Sequence, residues 1–217
     1  MKERILGIVR VSEEIDIING RTDPPTSIEA LNSHLLEQIA QETVRYFPEG
    51  FFSRVKAEWD IIIPVDHPYL REKISSRRAF SDETRYVGKR LEQRALEEDY
   101  EQIIGITCYS LVGRTFGYGW GMYHGFHELE KANLVSLQAT FETAEGLKGL
   151  VKVTANICAH EIAEGYGLTH HKDPNCIMGV ASFSEKGEWY RDIENSTFCL
   201  SCFEKLRSII EKRENLY

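Results

Sequence analysis

A chain of 217 residues has room for one substantial core, built as a single domain or as two small lobes around a cleft. Its net charge of −8 argues against nucleic acid or an anionic membrane as the main partner, since both select basic surfaces. No apolar run is long enough to span a bilayer, and the N-terminal MKERILGIVRVSEE lacks the apolar stretch and small-residue cleavage site of a signal peptide, so a cytoplasmic protein is expected.

In chain order, the Ile- and Val-rich run from Arg4 to Ser12 predicts a first strand. Asn19 to Pro25 is a loop. Thr26 or Ser27 is placed to cap a long helix carrying Ile28, Leu31, Leu35, Ile39 and Val44, which Phe47-Pro48-Glu49-Gly50 ends. Val55 to Pro64 predicts a second strand, Asp66 to Ser81 a polar connector, and Asp82 the cap of a helix over Glu83 to Glu98. Gln102 to Cys108 reads as a buried strand. Thr115 to Gly125 largely alternates glycine with larger residues, the pattern of an edge strand or of a loop where another backbone comes close. Ala132 to Ala139 predicts a further strand, and Leu147 to Tyr166 a helix. Little regular structure is expected after Gly167 until Cys199-x-x-Cys202 opens a short terminal helix. Repeats and low-complexity segments are absent from the sequence, and nothing in it requires an oligomer.

Five cysteines in a reducing compartment point to metal binding before disulfides. Cys108 and Cys158 lie among apolar residues and read as core thiols. The chemistry concentrates between His160 and Cys202. His160 and Glu164 are four apart and share one helix face, with Glu161 adjacent. In H-E-x-x-H proteins two histidines bind zinc and the glutamate between them acts as general base. Gly167 lets the helix stop and the chain reverse, which can return His170 as a third ligand. His171, Cys176, Cys199 and Cys202 form a second set with zinc-site spacing. The competing readings are a solvated or salt-bridged Glu164, an exposed Glu161, and a redox pair or unliganded core thiols at Cys199 and Cys202. His124 and His127 read as exposed imidazoles at a Gly-rich strand end. Met178 alone reads as core packing.

The spacing H-E-x-x-ligand-x-x-G-x-x-H, followed by His171, Cys176-Ile-Met178 and Cys199-x-x-Cys202, resembles the archaemetzincin family of metzincin zinc metalloproteases. The motifs cover about 45 residues of the chain. Two positions depart from the family pattern: Glu164 stands where a second histidine is usual, and His171 where a first structural cysteine is usual. The insertion between Met178 and Cys199 is slightly longer.

The resemblance implies a metzincin-like α/β domain over 1–217, with a mixed sheet and helices in a lobe at 1–167 that ends in the zinc helix. A second lobe, 168–217, would be organised by Met178 and a structural zinc. It implies two zinc ions per chain, a catalytic one on His160, Glu164 and His170 and a structural one on His171, Cys176, Cys199 and Cys202. Met178 would form a turn beneath the catalytic zinc. The implied reaction is peptide-bond hydrolysis by zinc-activated water with Glu161 as general base, on a peptide or protein substrate. By position, Phe116 to Met122 resembles the edge strand that pairs with substrate backbone, although a structural hairpin explains the same residues about equally well, and Tyr118, Trp120 and Tyr123 either line the cleft or pack. Because zinc accepts carboxylate at about the imidazole distance, Glu164 can complete a working set. The alternative is a catalytically impaired homologue that binds peptides or serves as a zinc-stabilised interaction protein.

Overall fold

Side-chain alternation along three strands builds both faces of the central sheet. In β1 (Ile5–Glu13), Leu6 and Ile8 point to one side and Val9 and Val11 to the other. In β3 (Gln102–Thr107), Ile104 and Ile106 oppose Ile103, and all six residues are buried. Such strands carry apolar residues almost continuously because helices cover both faces. The computed structural model describes residues 3–13, 33–63, 79–107, 111–114, 120–123, 125–127, 131–137, 146–179 and 194–214.

The sheet order is β2-β1-β3-β7-β6, with β2 spanning Arg54–Ile63, β6 Gly125–His127 and β7 Ala132–Ser136. The first four strands are mutually parallel, whereas β6 runs antiparallel to β7, so the sheet is mixed as expected. A separate antiparallel pair joins β4 (Leu111–Arg114) to β5 (Trp120–Tyr123). One core lies between the sheet and α1 (Ser33–Arg45), α3 (Gly146–Gly165) and α4 (Leu200–Glu214). A smaller one packs α2 (Ala79–Glu97) through Val87, Leu91 and Ala95 on the opposite face. The α4 helix joins the larger core by a stripe at Cys202, Leu206 and Ile210, spaced four residues apart. Among the described residues no helix is long and apolar enough to cross a membrane.

Three expectations need revision. The second predicted helix begins at Ala79, so Asp82 lies inside its first turn and is not its cap, and Ser81 belongs to the helix and not to the connector. The terminal helix is 15 residues long, not short. Of the two readings of Phe116 to Met122, the edge strand gives way to the hairpin for Trp120 to Met122, which belong to the antiparallel β4–β5 pair; among the described residues the antiparallel edge of the main sheet is β6, three residues long and beside α3. Three residues are too few to show a period of two, which is why the sequence pattern missed it. Thr26, Ser27, Cys108, Phe116, Tyr118 and His124 lie outside the described residues, as do the side chains of Trp120, Tyr123 and His127.

Candidate metal centres

The α3 helix is apolar around most of its girth. Leu150, Val153, Thr154, Ala155, Ile157, Cys158, Ala159, Ile162 and Ala163 are all at most 4% exposed. Such a helix runs through the core and not along the surface. It ends in a Schellman motif: Gly167 has φ +80°, its N–H donates to the Glu164 carbonyl at 2.8 Å, and the Leu168 N–H donates to the Ala163 carbonyl at 3.0 Å. Glycine takes that left-handed conformation without the penalty a side chain brings. The reversal carries His170 back over the last turn.

Three donor atoms meet there. The His170 Nε2 lies 3.0 Å from His160 Nε2 and 2.9 Å from Glu164 Oε1, and the His160 Nε2 to Glu164 Oε1 distance is 3.8 Å. A tetrahedral metal with N and O bonds of about 2.0–2.1 Å spaces neighbouring donors about 3.3 Å apart, so this triangle has a suitable size. The side chains grade outward, from 13% exposed at His160 through 26% at Glu164 to 50% at His170, which leaves one side of the cluster open. The two imidazoles stack with centroids 4.9 Å apart. His160 Nδ1 lies 2.7 Å from the Ile177 carbonyl oxygen, so Nδ1–H donates to it and Nε2 keeps its lone pair for the cluster.

Glu161 follows His160 by about 100° around the helix. It is 7% exposed, and its charge adds to the burial that pushes the Cys158 thiol well above the ordinary range. Cys158 itself is fully buried, as its apolar context implied.

The second set gathers where residues 171–179 meet 195–202. Cys176 to Gly179 form a tight turn, with the Gly179 N–H donating to the Cys176 carbonyl at 2.8 Å. A side chain on Gly179 would overlap the Asp173 carbonyl and sit 2.9 Å from that of Cys176, so only glycine fits. Met178 is fully buried and belongs to the larger core. His171 Nε2 is 3.6 Å from Cys199 Sγ and 3.3 Å from Cys202 Sγ. Cys176 Sγ accepts from the Cys199 N–H at 3.2 Å and from the Met178 N–H at 3.4 Å. All four donor atoms lie within 4.8 Å of one another. With Zn–S near 2.3 Å and Zn–N near 2.05 Å, tetrahedral donors stand about 3.5–3.8 Å apart, so the set fits zinc.

The thiols differ. Burial pushes Cys176 up and Cys202 up to about 12, with neighbouring thiols adding to both. At Cys199 burial also pushes upward, but hydrogen bonds from the Ser201 hydroxyl, the Cys202 N–H and the other thiols bring it down to about 6. His171 Nδ1 accepts from the Asp173 N–H at 3.2 Å, which in a neutral ring leaves the proton on Nε2. A metal at Nε2 needs the other tautomer and gives up that bond.

All seven donors read from the sequence thus fall into the two predicted groups. The backbone and amide contacts that tie the groups together carry no sequence sign. The Ile177–Met178 peptide offers its carbonyl to His160 and its N–H to Cys176, so one peptide group touches a donor of each set. Asn156, in α3, donates from Nδ2 to the Ser196 carbonyl at 2.9 Å.

Comparison with known proteins places these features. The model of peptidase family M54 matches residues 30–208. The fold is similar to that of archaemetzincin from Methanopyrus kandleri, with a TM-score of 0.61 at 17% identity, covering 97% of each chain. It is also similar to a zinc-dependent peptidase from Methanocorpusculum labreanum, with a TM-score of 0.53 at 16% identity, covering 93% of this chain and 99% of the other. A search of curated proteins finds no sequence match.

Proposed function

The chain belongs to peptidase family M54, and on that premise we propose that it hydrolyses peptide bonds as a zinc metallopeptidase, with Glu161 as general base. The observation that carries this reading is the convergence of His160 Nε2, Glu164 Oε1 and His170 Nε2 within 3.8 Å, with the His160 ring held in the ligating tautomer by Ile177. Zinc bound there supplies Lewis acidity, polarising a peptide carbonyl and making water a better nucleophile. The protein's own groups do the rest. The Glu161 carboxylate takes the proton of the attacking water and returns it to the leaving amine. β6, the last strand of the sheet among the described residues and beside α3, offers backbone groups for an extended substrate to pair with.

The same reading gives the second set a structural zinc on His171, Cys176, Cys199 and Cys202, for two ions per chain. It divides 1–217 into a lobe at 1–167 ending in the catalytic helix and a lobe at 168–217 held by that zinc. Four free thiols among the described residues suit a reducing compartment such as the cytoplasm. Nothing in this chemistry needs a second subunit.

A second reading rests on one contact. His170 and Glu164 at 2.9 Å can satisfy each other as an ion pair without metal, leaving a peptide-binding homologue with the structural zinc alone. Metal counting combined with Glu161→Gln separates the two. Two zincs per chain, with hydrolysis of a peptide library reduced on the order of 10²–10⁴-fold in the variant and metal content unchanged, support the peptidase. One zinc and no hydrolysis by the unmodified chain support the homologue.

A further inference from the structure

We infer that Asn156 is a positioning residue for His160, holding in place the carbonyl that orients its ring. Asn156 supplies none of the seven donor atoms. It lies four residues before His160, so both side chains leave the same face of α3. Each grips one of two bridged segments. Asn156 Nδ2 donates to the Ser196 carbonyl at 2.9 Å, and His160 Nδ1 donates to the Ile177 carbonyl at 2.7 Å. The segments are themselves joined, the Ile177 N–H donating to the Thr197 carbonyl at 3.0 Å and the Thr197 N–H to the Asn175 carbonyl at 3.2 Å. Cys176 and Thr197 form the bridge pair. The circuit is closed: helix, Ser196, Thr197, Ile177 and back to the helix one turn later.

Two attachments do what one cannot. Burial of Ile177 and Met178 keeps the 175–178 turn against the core, but from α3 His160 alone gives it one hydrogen bond, which does not by itself hold the Ile177 oxygen on the line of Nδ1–H. The Ser196–Thr197 peptide is pinned at both ends, its carbonyl by Asn156 and its N–H by Asn175. That fixes the turn's register against α3. Asn156 is fully buried and Ser196 is 2% exposed, so water does not compete for this bond. The surface pair of Lys152 and Glu194, 4.0 Å apart, also joins these elements and is too weak to replace it. The second donor set keeps its own links, with the Cys199 N–H on Cys176 Sγ and α4 packed through Cys202 and Leu206, and does not depend on Asn156.

The inference rests on the proposed metal role of His160, and the test separates the two. The full chain and its Asn156→Ala variant are titrated with cobalt(II) against a competing chelator. Thiolate-to-cobalt charge-transfer bands report the cysteine set, and d–d bands without them report the His160 set. The expected result is a first-site affinity about tenfold weaker in the variant, as for loss of an outer-shell partner, with the charge-transfer titration unmoved. Equal first-site affinity in variant and parent overturns the inference, and so does equal weakening of both sites, which marks general loosening. If the parent itself binds no cobalt at the first site, the peptidase reading falls and takes this inference with it. Should Asn156→Ala not fold, Asn156→Ser serves the same test. Its hydroxyl bonds back to the helix carbonyl four residues earlier and cannot reach Ser196.

Discussion

His170 and His171 are adjacent in the chain and belong to sites of opposite character. The first cluster has three donors, a gradient of exposure and an open side. The second has four donors, and two of its three thiols are buried. Three ligands with an open position suit chemistry, and four closed ligands suit structure. Preparation runs the other way from completeness. The open site has its key ring preset by the Ile177 carbonyl, while the closed site must change the His171 tautomer and shed protons from Cys176 and Cys202 to receive a metal. On the proposed reading, the site that would turn over substrate is held ready by its surroundings, and the site that would stabilise the chain takes its order from the ion itself.

The strongest way to break this comparison is to remove a donor from the closed site. Cys202→Ser should lose one zinc and destabilise the chain by about 3 kcal/mol or more, since metal-binding free energy at such sites is folding free energy. The first turn of α4 begins at Leu200, between Cys199 and Cys202, and α4 should lose helicity by circular dichroism. A variant that melts like the parent and keeps two zincs would show that the cysteines are ordinary core thiols.

Next in size is the donor that departs from the family pattern. If Glu164 is a ligand, Glu164→Ala should weaken first-site metal by about two orders of magnitude or more, beyond the 10–100-fold typical of outer-shell losses, while the melting curve moves little. Glu164→His should keep or raise that affinity, because a third imidazole fits the same spacing. If Glu164 only pairs with His170, the alanine variant keeps its metal content. The two substitutions together therefore decide whether the open site is a metal site at all.

Much of this was legible in the sequence because ligand chemistry leaves fixed offsets. Four residues on a helix, a glycine three further on and a C-x-x-C tolerate few alternatives, and every donor they named lies in its predicted cluster. The buried strands were equally readable, Ile103, Ile104 and Ile106 announcing a strand covered on both sides. What stayed hidden is carried by groups every residue owns. The Ile177 carbonyl and the Met178 N–H matter by position alone, and no residue type encodes that. Asn156 sits within a helix where an asparagine gives no sign of its partner forty positions away.

The smallest effect sets the background against which both sites must be read. On the far side of the sheet, Glu58 accepts from the Tyr100 hydroxyl, and from Arg94 Nη2 at 2.5 Å and Nε at 3.2 Å. Burial raises its pKa, but these hydrogen bonds and the charges of Arg94 and Lys56 outweigh that and hold the carboxyl below its ordinary value. A depressed carboxylate adds stability above its unfolded pKa, near 4.5, and that contribution is lost as pH falls through the folded value. Because Glu58 is partly exposed, the amount should stay below about 1 kcal/mol. Glu58→Gln should therefore flatten the acid limb of stability below about pH 4.5 without altering metal content. An acid limb in metal-stripped protein that is unchanged by Glu58→Gln would assign the low-pH loss to other carboxylates.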